Sequence, residues 1–275
     1  VTILGYTIGG VIEPVIFMDA AMEKAARTAI GCEPDHILYT NDLWQITELE
    51  VPSDAQTLED LAHLTFLETL TVSGRNMSNL NDFSQLTHLK TLNLTGCRFP
   101  AESLSTVAAL PQLKELTLSG CGLSTIAGLE LATSLESLDI SNNTIRNLEV
   151  LSALKELTRL HAAHNAITDL SVVGTLTKLT ELDVSYNALQ GIAPLSGCVR
   201  LETLNATNNQ ISDISTAAAL PLLTELNLDY NGLSDLSGLS GCASLRVLTL
   251  SNNSIEDISP LTGLRTLERL DFSYN

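Results

Sequence analysis

Leucine and isoleucine recur at a regular spacing from residue 46 to the end of the sequence. The stretch LDISNNTIRNLEVL (138–151) has close copies that begin at Leu182, Leu226 and Leu248. Within each copy, apolar and polar residues first alternate, as in a strand with one buried face. Apolar residues then recur about every third position, which suits short 3₁₀ turns. The pattern predicts a short strand followed by an irregular return, repeated along the chain.

The copies align on eleven starting positions, which are Ile46, Leu67, Leu89, Leu113, Leu135, Leu157, Leu179, Leu201, Leu223, Leu245 and Leu267. The steps between them are 21, 22 and 24 residues, and then 22 throughout. A fixed period of this length, written LxxLxLxxNxI, is the signature of leucine-rich repeats. One coil cannot bury its own apolar face, so stacked coils must bury it together. The sequence therefore predicts an α/β leucine-rich-repeat fold, a curved right-handed solenoid with a parallel β-sheet on its concave face and short 3₁₀ or irregular segments on its convex side.

The ninth position of the repeat is asparagine from the fifth coil onward (Asn143, Asn165, Asn187, Asn209, Asn231, Asn253 and Asn275). Its amide can donate and accept, so a column of them can satisfy backbone groups where the chain turns inward. Cys97 and Cys121 take this position in earlier coils, after Asp54 and Arg75. We expect these thiols to be structural.

The first forty-five residues do not follow the repeat pattern. FMDAAMEKAARTAIG (17–31) places an apolar stripe on a helix, made of Met18, Ala21, Met22, Ala25, Ala26, Ala29 and Ile30. Asp19 is the expected N-cap, Gly31 the expected end, and a short helical turn can start at Asn41. We predict a helical cap within residues 1–45 and a repeat domain over 46–275 whose last repeat is truncated, in a fragment of a longer protein. Residues 1–12 are expected to form a strand or the tail of an upstream domain.

The segments IFMDAAMEKAARTAIG and LYTNDLWQITELEV resemble the helical cap and first strand of bacterial internalin-type proteins. The 22-residue coils ending in ISPLTGL (258–264) resemble the SDS22-like repeats that internalins use. The resemblance covers residues 14–275 and implies a protein-binding module, often exported or displayed on the cell surface. The sequence departs from that family by lacking a visible immunoglobulin-like C-terminal cap. Its five cysteines are also unusual for an exported Gram-positive protein.

Charge and composition narrow the classes of partner. The formal net charge is −18, from 32 acidic and 14 basic side chains. This disfavours nucleic-acid binding and docking on anionic lipid, and it favours a basic protein partner. Residues 1–70 hold twelve acidic and two basic side chains, which we interpret as a solvated acidic cap. No apolar run approaches the roughly 18 residues that insertion into a bilayer needs.

The spacing of the cysteines and the lack of catalytic motifs argue against a catalytic or metal site in this chain. The five cysteines have no CxxC or Cys/His metal pattern, and Cys198 and Cys242 lie two coils apart, about 10 Å at the usual strand spacing. Reduced thiols are expected, which favours a cytosol or an anaerobic habitat. There is no Walker A loop, GxSxG, HExxH or EF-hand pattern. We therefore expect no catalysis, no cofactor and no metal.

The candidate site lies on the outward-facing strand positions of the middle coils. The third and fifth positions are polar or charged in every coil except at Val247, which suits a polar protein interface. Tyrosine and arginine are favoured interface anchors, so the patch around LTRLHAAHNAI (157–167) is the expected centre. The predicted partner-binding residues are Asp139, Arg159, His161, His164, Asp183, Tyr186, Asn205, Asn227 and Tyr230.

Three interpretations of Asp139, His161 and Asp183 remain open, namely a metal or acid–base site, a cross-strand polar ladder, and the centre of a partner-binding surface. For the chain as a whole we expect a monomeric, non-enzymatic protein-binding module of a bacterial exported or cell-surface protein. One alternative is the targeting domain of a larger enzyme or receptor. Another is a cytoplasmic regulatory subunit that resembles SDS22-type phosphatase regulators.

Overall fold

The computed structural model describes residues 12–275, together with the backbone of residues 2–3 and 6–7. Strands β1 (Thr2–Ile3) and β2 (Tyr6–Thr7) pair antiparallel near the N-terminus. The alternative that residues 1–12 are the tail of an upstream domain falls outside the described residues.

The N-terminal cap contains helix α1 (Ala20–Ile30) and the short helix α2 (Thr40–Leu43). Asp19 accepts hydrogen bonds from the first N–H groups of α1, and Gly31 ends the helix with φ at 66°. Both helix boundaries were predicted. The apolar stripe was partly wrong, because Met18 precedes the helix and is 74% exposed, and because Ala29 is exposed as well. Phe17 is buried in place of Met18.

The acidic cap is not fully solvated, which corrects the interpretation from composition. Asp19 and Asp60 are both buried. The Asp60 carboxylate accepts the backbone N–H groups of Met18 and Asp19, at 2.8 and 2.9 Å. The Asp19 carboxylate in turn accepts from the backbone of Gln56 and Thr57. Two carboxylates therefore fix the cap to the first coil through backbone hydrogen bonds.

In the described part of the chain, eleven short strands form one open parallel sheet. They are β3 (Glu48–Glu50), β4 (Thr69–Thr71), β5 (Thr91–Asn93), β6 (Glu115–Thr117), β7 (Ser137–Asp139), β8 (Arg159–His161), β9 (Glu181–Asp183), β10 (Thr203–Asn205), β11 (Glu225–Asn227), β12 (Val247–Thr249) and β13 (Arg269–Asp271). Each strand pairs with the next coil in register, so equivalent repeat positions stand side by side. The predicted leucine-rich-repeat solenoid is confirmed.

The convex side is made of 3₁₀ turns, as the three-residue apolar spacing predicted. They are Glu59–His63, Asn81–Phe83, Ala101–Ser103, Leu129–Leu131, Glu149–Ala153, Val173–Thr175, Ala193–Gly197, Ala217–Ala219, Ser237–Leu239 and Ser259–Gly263. The coil of 24 residues differs, because its 3₁₀ turn continues into helix α3 (Leu104–Ala108). An α-helical turn thus accommodates the two extra residues without moving the next strand out of register.

Stacked aliphatic side chains fill the core between sheet and convex turns. Leu138 and Ile140 of one coil are 1% and 0% exposed, and their equivalents in neighbouring coils are buried likewise. Each such side chain contributes on the order of 1.5–3 kcal/mol relative to an exposed position. None of the described helices has the length and apolar character that crossing a membrane would need.

Candidate functional site

The ninth-position asparagines serve the fold, as their column predicted. The Asn143 Nδ2 donates to the carbonyl oxygens of Leu118 and Ile140 at 2.9 Å, and to that of Ser141 at 3.0 Å. Its Oδ1 accepts the backbone N–H of Leu123 at 2.9 Å. The same four contacts recur in the coils that follow, so these amides satisfy the buried backbone where each coil turns inward.

The cysteines in this column are also structural. The Cys97 thiol donates to the carbonyl of Val72 at 3.3 Å, and the Cys121 thiol donates to that of Leu94 at 3.1 Å. Burial raises the pKa of Cys121 to about 11, and it does the same for Cys198 and Cys242. Because the thiolate is the reactive form, these groups are poor nucleophiles at neutral pH. All five cysteines, which lie within residues 12–275, are unpaired.

The sheet register brings Asp139, His161 and Asp183 side by side on neighbouring strands. The His161 Nε2, however, lies 2.8 Å from Glu181 Oε1 rather than against either aspartate. Asp139 Oδ1 accepts the N–H of Ser141 at 2.8 Å. The three residues therefore lie together but do not converge on a common point.

Asp183 is held even more firmly, by its own coil and by the next one. Its Oδ1 accepts the Ser185 N–H at 2.9 Å and the Ser185 hydroxyl at 2.6 Å. Its Oδ2 accepts from Asn205 Nδ2 at 3.0 Å. Among residues 12–275, no group of three or more His, Cys, Asp or Glu side chains is arranged to hold a metal ion. The geometry matches the polar ladder more closely than an acid–base pair.

Arg159 makes a contact that the pattern did not predict. Its Nη2 lies 3.0 Å from Glu115 Oε1, two strands away. The intervening strand carries Ser137 at the equivalent position, and this small side chain leaves the path open. The order Glu115, Ser137 and Arg159 in the third-position column, with a small residue between two long ones of opposite charge, was the signal that could have shown it. Arg159 and His161 therefore both have acidic neighbours on the concave face.

The eighth position of the late coils has an unusual backbone. His164, Tyr186 and Tyr230 have φ of 53°, 54° and 54°. The coils that start at Leu67, Leu89 and Leu113 have glycine there, namely Gly74, Gly96 and Gly120, also at positive φ. Glycine adopts this region freely and asparagine tolerates it, whereas a bulky residue such as tyrosine costs about 1–2 kcal/mol. The glycines of the early coils were the sequence signal for this conformation, and it was missed.

The aromatic rings at this position are exposed to solvent. Tyr186 and Tyr230, which have coils on both sides, are 45% and 55% exposed. The His164 and Tyr186 rings stack, with their centroids 4.0 Å apart and their planes 12° from parallel. Sequence reasoning placed these two rings side by side. The stack joins two neighbouring coils face to face and leaves both residues exposed, which forms an aromatic surface at the edge of the concave face.

Asn205 and Asn227 lie next to this surface on β10 and β11. Asn227 Oδ1 accepts from the Thr207 hydroxyl at 2.6 Å, while Asn205 donates to Asp183. Both amides therefore connect neighbouring coils. Together with Glu225 and Asp271 they line a shallow, predominantly polar groove on the C-terminal part of the concave face.

Comparison with known proteins identifies the repeats. Two leucine-rich-repeat family models match the chain, one over residues 155–197, 199–241 and 243–275, the other over 85–108 and 131–148. The sequence has no significant match among curated proteins.

Solved structures with the same fold include three from Listeria monocytogenes. Internalin C2 is 24% identical, with a TM-score of 0.61 and coverage of 94% of this chain and 95% of that one. An internalin F structure is 25% identical, with a TM-score of 0.51 and coverage of 94% and 97%. The functional domain of InlJ, described as including a cysteine ladder, is 21% identical, with a TM-score of 0.59 and coverage of 92% and 66%. These likenesses establish the architecture.

Proposed function

The chain is a leucine-rich-repeat protein of internalin-like architecture, and we propose that it is a non-enzymatic module that binds a protein partner on its concave face. Leucine-rich-repeat folds are typical of protein–protein interaction modules. The proposed centre comprises Arg159, His161, His164, Tyr186 and Tyr230. The observation that carries the proposal is the exposed His164–Tyr186 stack, in which both residues have positive φ. Strained exposed aromatics do not help the chain to fold, and such strain clusters at binding sites.

Charge defines the kind of partner. The net charge is −18, and the third and fifth positions carry carboxylates near the proposed centre, such as Glu181, Asp183 and Glu225. A partner that presents lysine or arginine complements this surface and associates faster because of long-range attraction. We therefore propose a basic protein surface as the ligand, bound by a monomer of this chain.

Rigidity supplies the mechanism. The strands are joined in register from β3 to β13, and the asparagine column fixes the turns that follow them. Groups on such a scaffold are ordered before the partner arrives, so less conformational entropy is lost on association. Affinity then depends on a few anchors such as Tyr186 and Arg159, while the surrounding polar residues exclude water.

A catalytic role has little support from the residues near the proposed centre. Asp139 and Asp183 are occupied by backbone and side-chain donors, and His161 is paired with Glu181. Burial raises the pKa of the Cys198 thiol to about 11, which disfavours a nucleophile. Binding is the function that this arrangement serves best.

We propose export or surface display in a bacterium as the setting, since the neighbouring solved structures include internalins. The alternatives remain the targeting domain of a larger enzyme or receptor and a cytoplasmic regulatory subunit. Sequencing the gene outwards from residues 1 and 275 tests the setting, because a signal peptide would rule out the cytoplasmic alternative.

The binding proposal is tested by replacing His161 and Tyr186 together with alanine. Pull-down from the native source followed by titration should show at least tenfold weaker binding, about 1.4 kcal/mol, with little change in thermal stability. The matched control replaces Leu131 and Arg146, which are exposed outside the concave strands, and should bind normally. Equal affinity of the two double variants would show that the site lies elsewhere.

A further inference from the structure

At the eighth position of the late coils, tyrosine and asparagine alternate from coil to coil. A repeat of one coil does not require this alternation. The eighth position reads Tyr186, Asn208, Tyr230, Asn252 and Tyr274 in five successive coils. All five residues have positive φ, between 54° and 56°. Asparagine is among the residues that tolerate this conformation best, so the fold is already served by the residue in the intervening coils. Tyrosine in every second coil therefore needs an explanation other than folding.

The three tyrosines are evenly spaced along the axis of the solenoid. Backbone N–H groups at the eighth position donate to carbonyls of the next coil, from Tyr186 to Thr207 and from Tyr230 to Ser251, both at 2.8 Å. Asn208 and Asn252 donate in the same way to the coils beyond them. The sheet spacing of about 4.8 Å per coil thus continues through this column. Tyrosines two coils apart are therefore separated by about 10 Å, and the outer pair by about 19 Å.

A carboxylate accompanies each tyrosine. Asp183 accepts the N–H of Ser185, the residue before Tyr186, and Asp271 accepts the N–H of Ser273, the residue before Tyr274. Asp229 directly precedes Tyr230. Hydrogen bonding to Ser273 lowers the pKa of Asp271, so this group is ionised at neutral pH. Each coil that carries a tyrosine at its eighth position therefore also carries an aspartate, at its fifth position (Asp183 and Asp271) or at its seventh (Asp229).

The 10 Å repeat selects one peptide conformation. A polyproline II helix has three residues per turn and rises about 3.1 Å per residue, so equivalent side chains recur every 9.3 Å or so. A β-strand returns to the same face after about 6.7 Å. An α-helix returns to the same face after seven residues, about 10.5 Å, but two such repeats span about 21 Å and exceed the length of the column. Six residue steps of polyproline II cover about 19 Å, which matches the distance from Tyr186 to Tyr274. Proline rings dock on aromatic surfaces in other polyproline II readers.

We propose that Tyr186, Tyr230 and Tyr274, hereafter the tyrosine array, bind a polyproline II segment that presents proline at every third residue and lysine or arginine between the prolines. The segment runs along the solenoid axis, its prolines lie on the rings, and its cations face Asp183, Asp229 and Asp271. This assignment rests on the proposed function, because it names the partner class for the same edge of the concave face.

The test uses a fluorescently labelled peptide of three Pro-Pro-Arg units and measures anisotropy on titration with the protein. Wild type should bind, and Tyr186→Asn with Tyr230→Asn and Tyr274→Asn should weaken binding at least tenfold. Asparagine occupies this position in the intervening coils, so the triple variant should fold with unchanged circular dichroism. The matched control, Asn208→Gly with Asn252→Gly, keeps the backbone conformation and should bind as wild type does.

A second peptide, of three Gly-Gly-Arg units, keeps the charge but not the conformation, and it should bind at least tenfold more weakly. Equal binding of the two peptides, or of wild type and the triple variant, would overturn the assignment in favour of charge attraction alone. Failure of the Pro-Pro-Arg peptide to bind wild type would also overturn it. The proposed function would still stand in that case if His161→Ala with Tyr186→Ala weakens the native partner, so the two failures can be told apart.

Discussion

The early coils, which start at Ile46, Leu67, Leu89 and Leu113, and the late coils from Leu135 onward share one backbone but stabilise it differently. At the ninth position the four early coils use Asp54, Arg75, Cys97 and Cys121, whereas the late coils use asparagine. In an early coil the Met77 N–H is satisfied by the carbonyl of Arg98 at 2.8 Å. Its counterpart in the first late coil, Ile145, is satisfied by the side-chain oxygen of Asn165 at 2.9 Å. A thiol suffices at the ninth position of an early coil because a backbone carbonyl there accepts the N–H that an asparagine side chain accepts in a late coil.

At the eighth position, by contrast, the early coils carry the residue that suits the backbone better. Gly74, Gly96 and Gly120 adopt positive φ without strain, while His164 and the tyrosines of the late coils adopt it at a cost. The early coils with glycine are therefore relaxed at a position where four late coils carry an aromatic ring, namely those of His164, Tyr186, Tyr230 and Tyr274. The late coils thus carry aromatic residues that the backbone conformation does not favour, and this is where we place binding.

The largest effect in this comparison should come from the ninth position. Asn187→Ala removes three donated bonds, to Ala162, Val184 and Ser185, and one accepted from Ile167. Leaving these buried groups unsatisfied should cost about 3 kcal/mol. Cys97→Ala removes one weak bond to Val72 and should cost about 1 kcal/mol. Urea denaturation of both variants checks this, and equal losses would show that the two halves are stabilised alike.

The second prediction concerns the cap on the early coils and its response to pH. The hydrogen bond from the Gln56 N–H is the main cause that lowers the pKa of Asp19, and further backbone N–H groups add to it. Burial acts in the opposite direction. A carboxyl whose folded pKa is lowered stabilises the fold above its unfolded value of about 3.9, and that contribution is lost as pH falls through the folded pKa. Asp19→Asn should therefore cost about 2 kcal/mol at pH 7 and progressively less below about pH 4.

Trp44 provides a local probe for this measurement. It is the single tryptophan of the chain, it follows α2, and its ring lies 6.0 Å from that of Phe66 in the next coil. Fluorescence-detected denaturation from pH 7 to pH 3 then reports on the cap. The Asp169→Asn variant, in the late coils, is the control and should leave the Trp44 transition in place. A difference between wild type and Asp19→Asn that stays constant down to pH 3 would refute the assignment.

The third prediction concerns the residues at the eighth position, where a glycine of an early coil and a tyrosine of a late coil are each replaced. Gly96→Ala has room for its Cβ, whose nearest neighbour beyond the adjoining residues is 3.7 Å away, so its cost is the backbone strain alone, about 1 kcal/mol. Tyr230→Gly should be neutral or stabilising by up to about 1 kcal/mol while it weakens partner binding. Thermal denaturation and titration measure both effects. A large loss of stability in Tyr230→Gly would show that the ring supports the fold and not the interface.

Much of this fold was readable from the sequence, because a fixed period specifies both the backbone and the face of each residue. The LxL of every coil predicted its three-residue strand, and the asparagine column predicted its backbone contacts. The partner of His161 was not predictable, since Glu181, Asp139 and Asp183 all lie within reach and a rotamer decides among them. Burial of Asp60 was also missed, because its partners come from a cap 41 residues away in sequence.

The smallest effect should follow from removing Arg159, the cation at the proposed centre. Its pair with Glu115 joins side chains that are 43% and 48% exposed, and such surface pairs contribute little. Arg159→Ala should therefore change the free energy of unfolding by less than about 0.5 kcal/mol, as should Lys178→Ala, which breaks the exposed pair with Glu156. Only the Arg159 variant should also weaken partner binding, because Lys178 lies outside the proposed centre. Since the fold is insensitive to both changes, a loss of affinity in one alone would locate function on the late coils independently of stability.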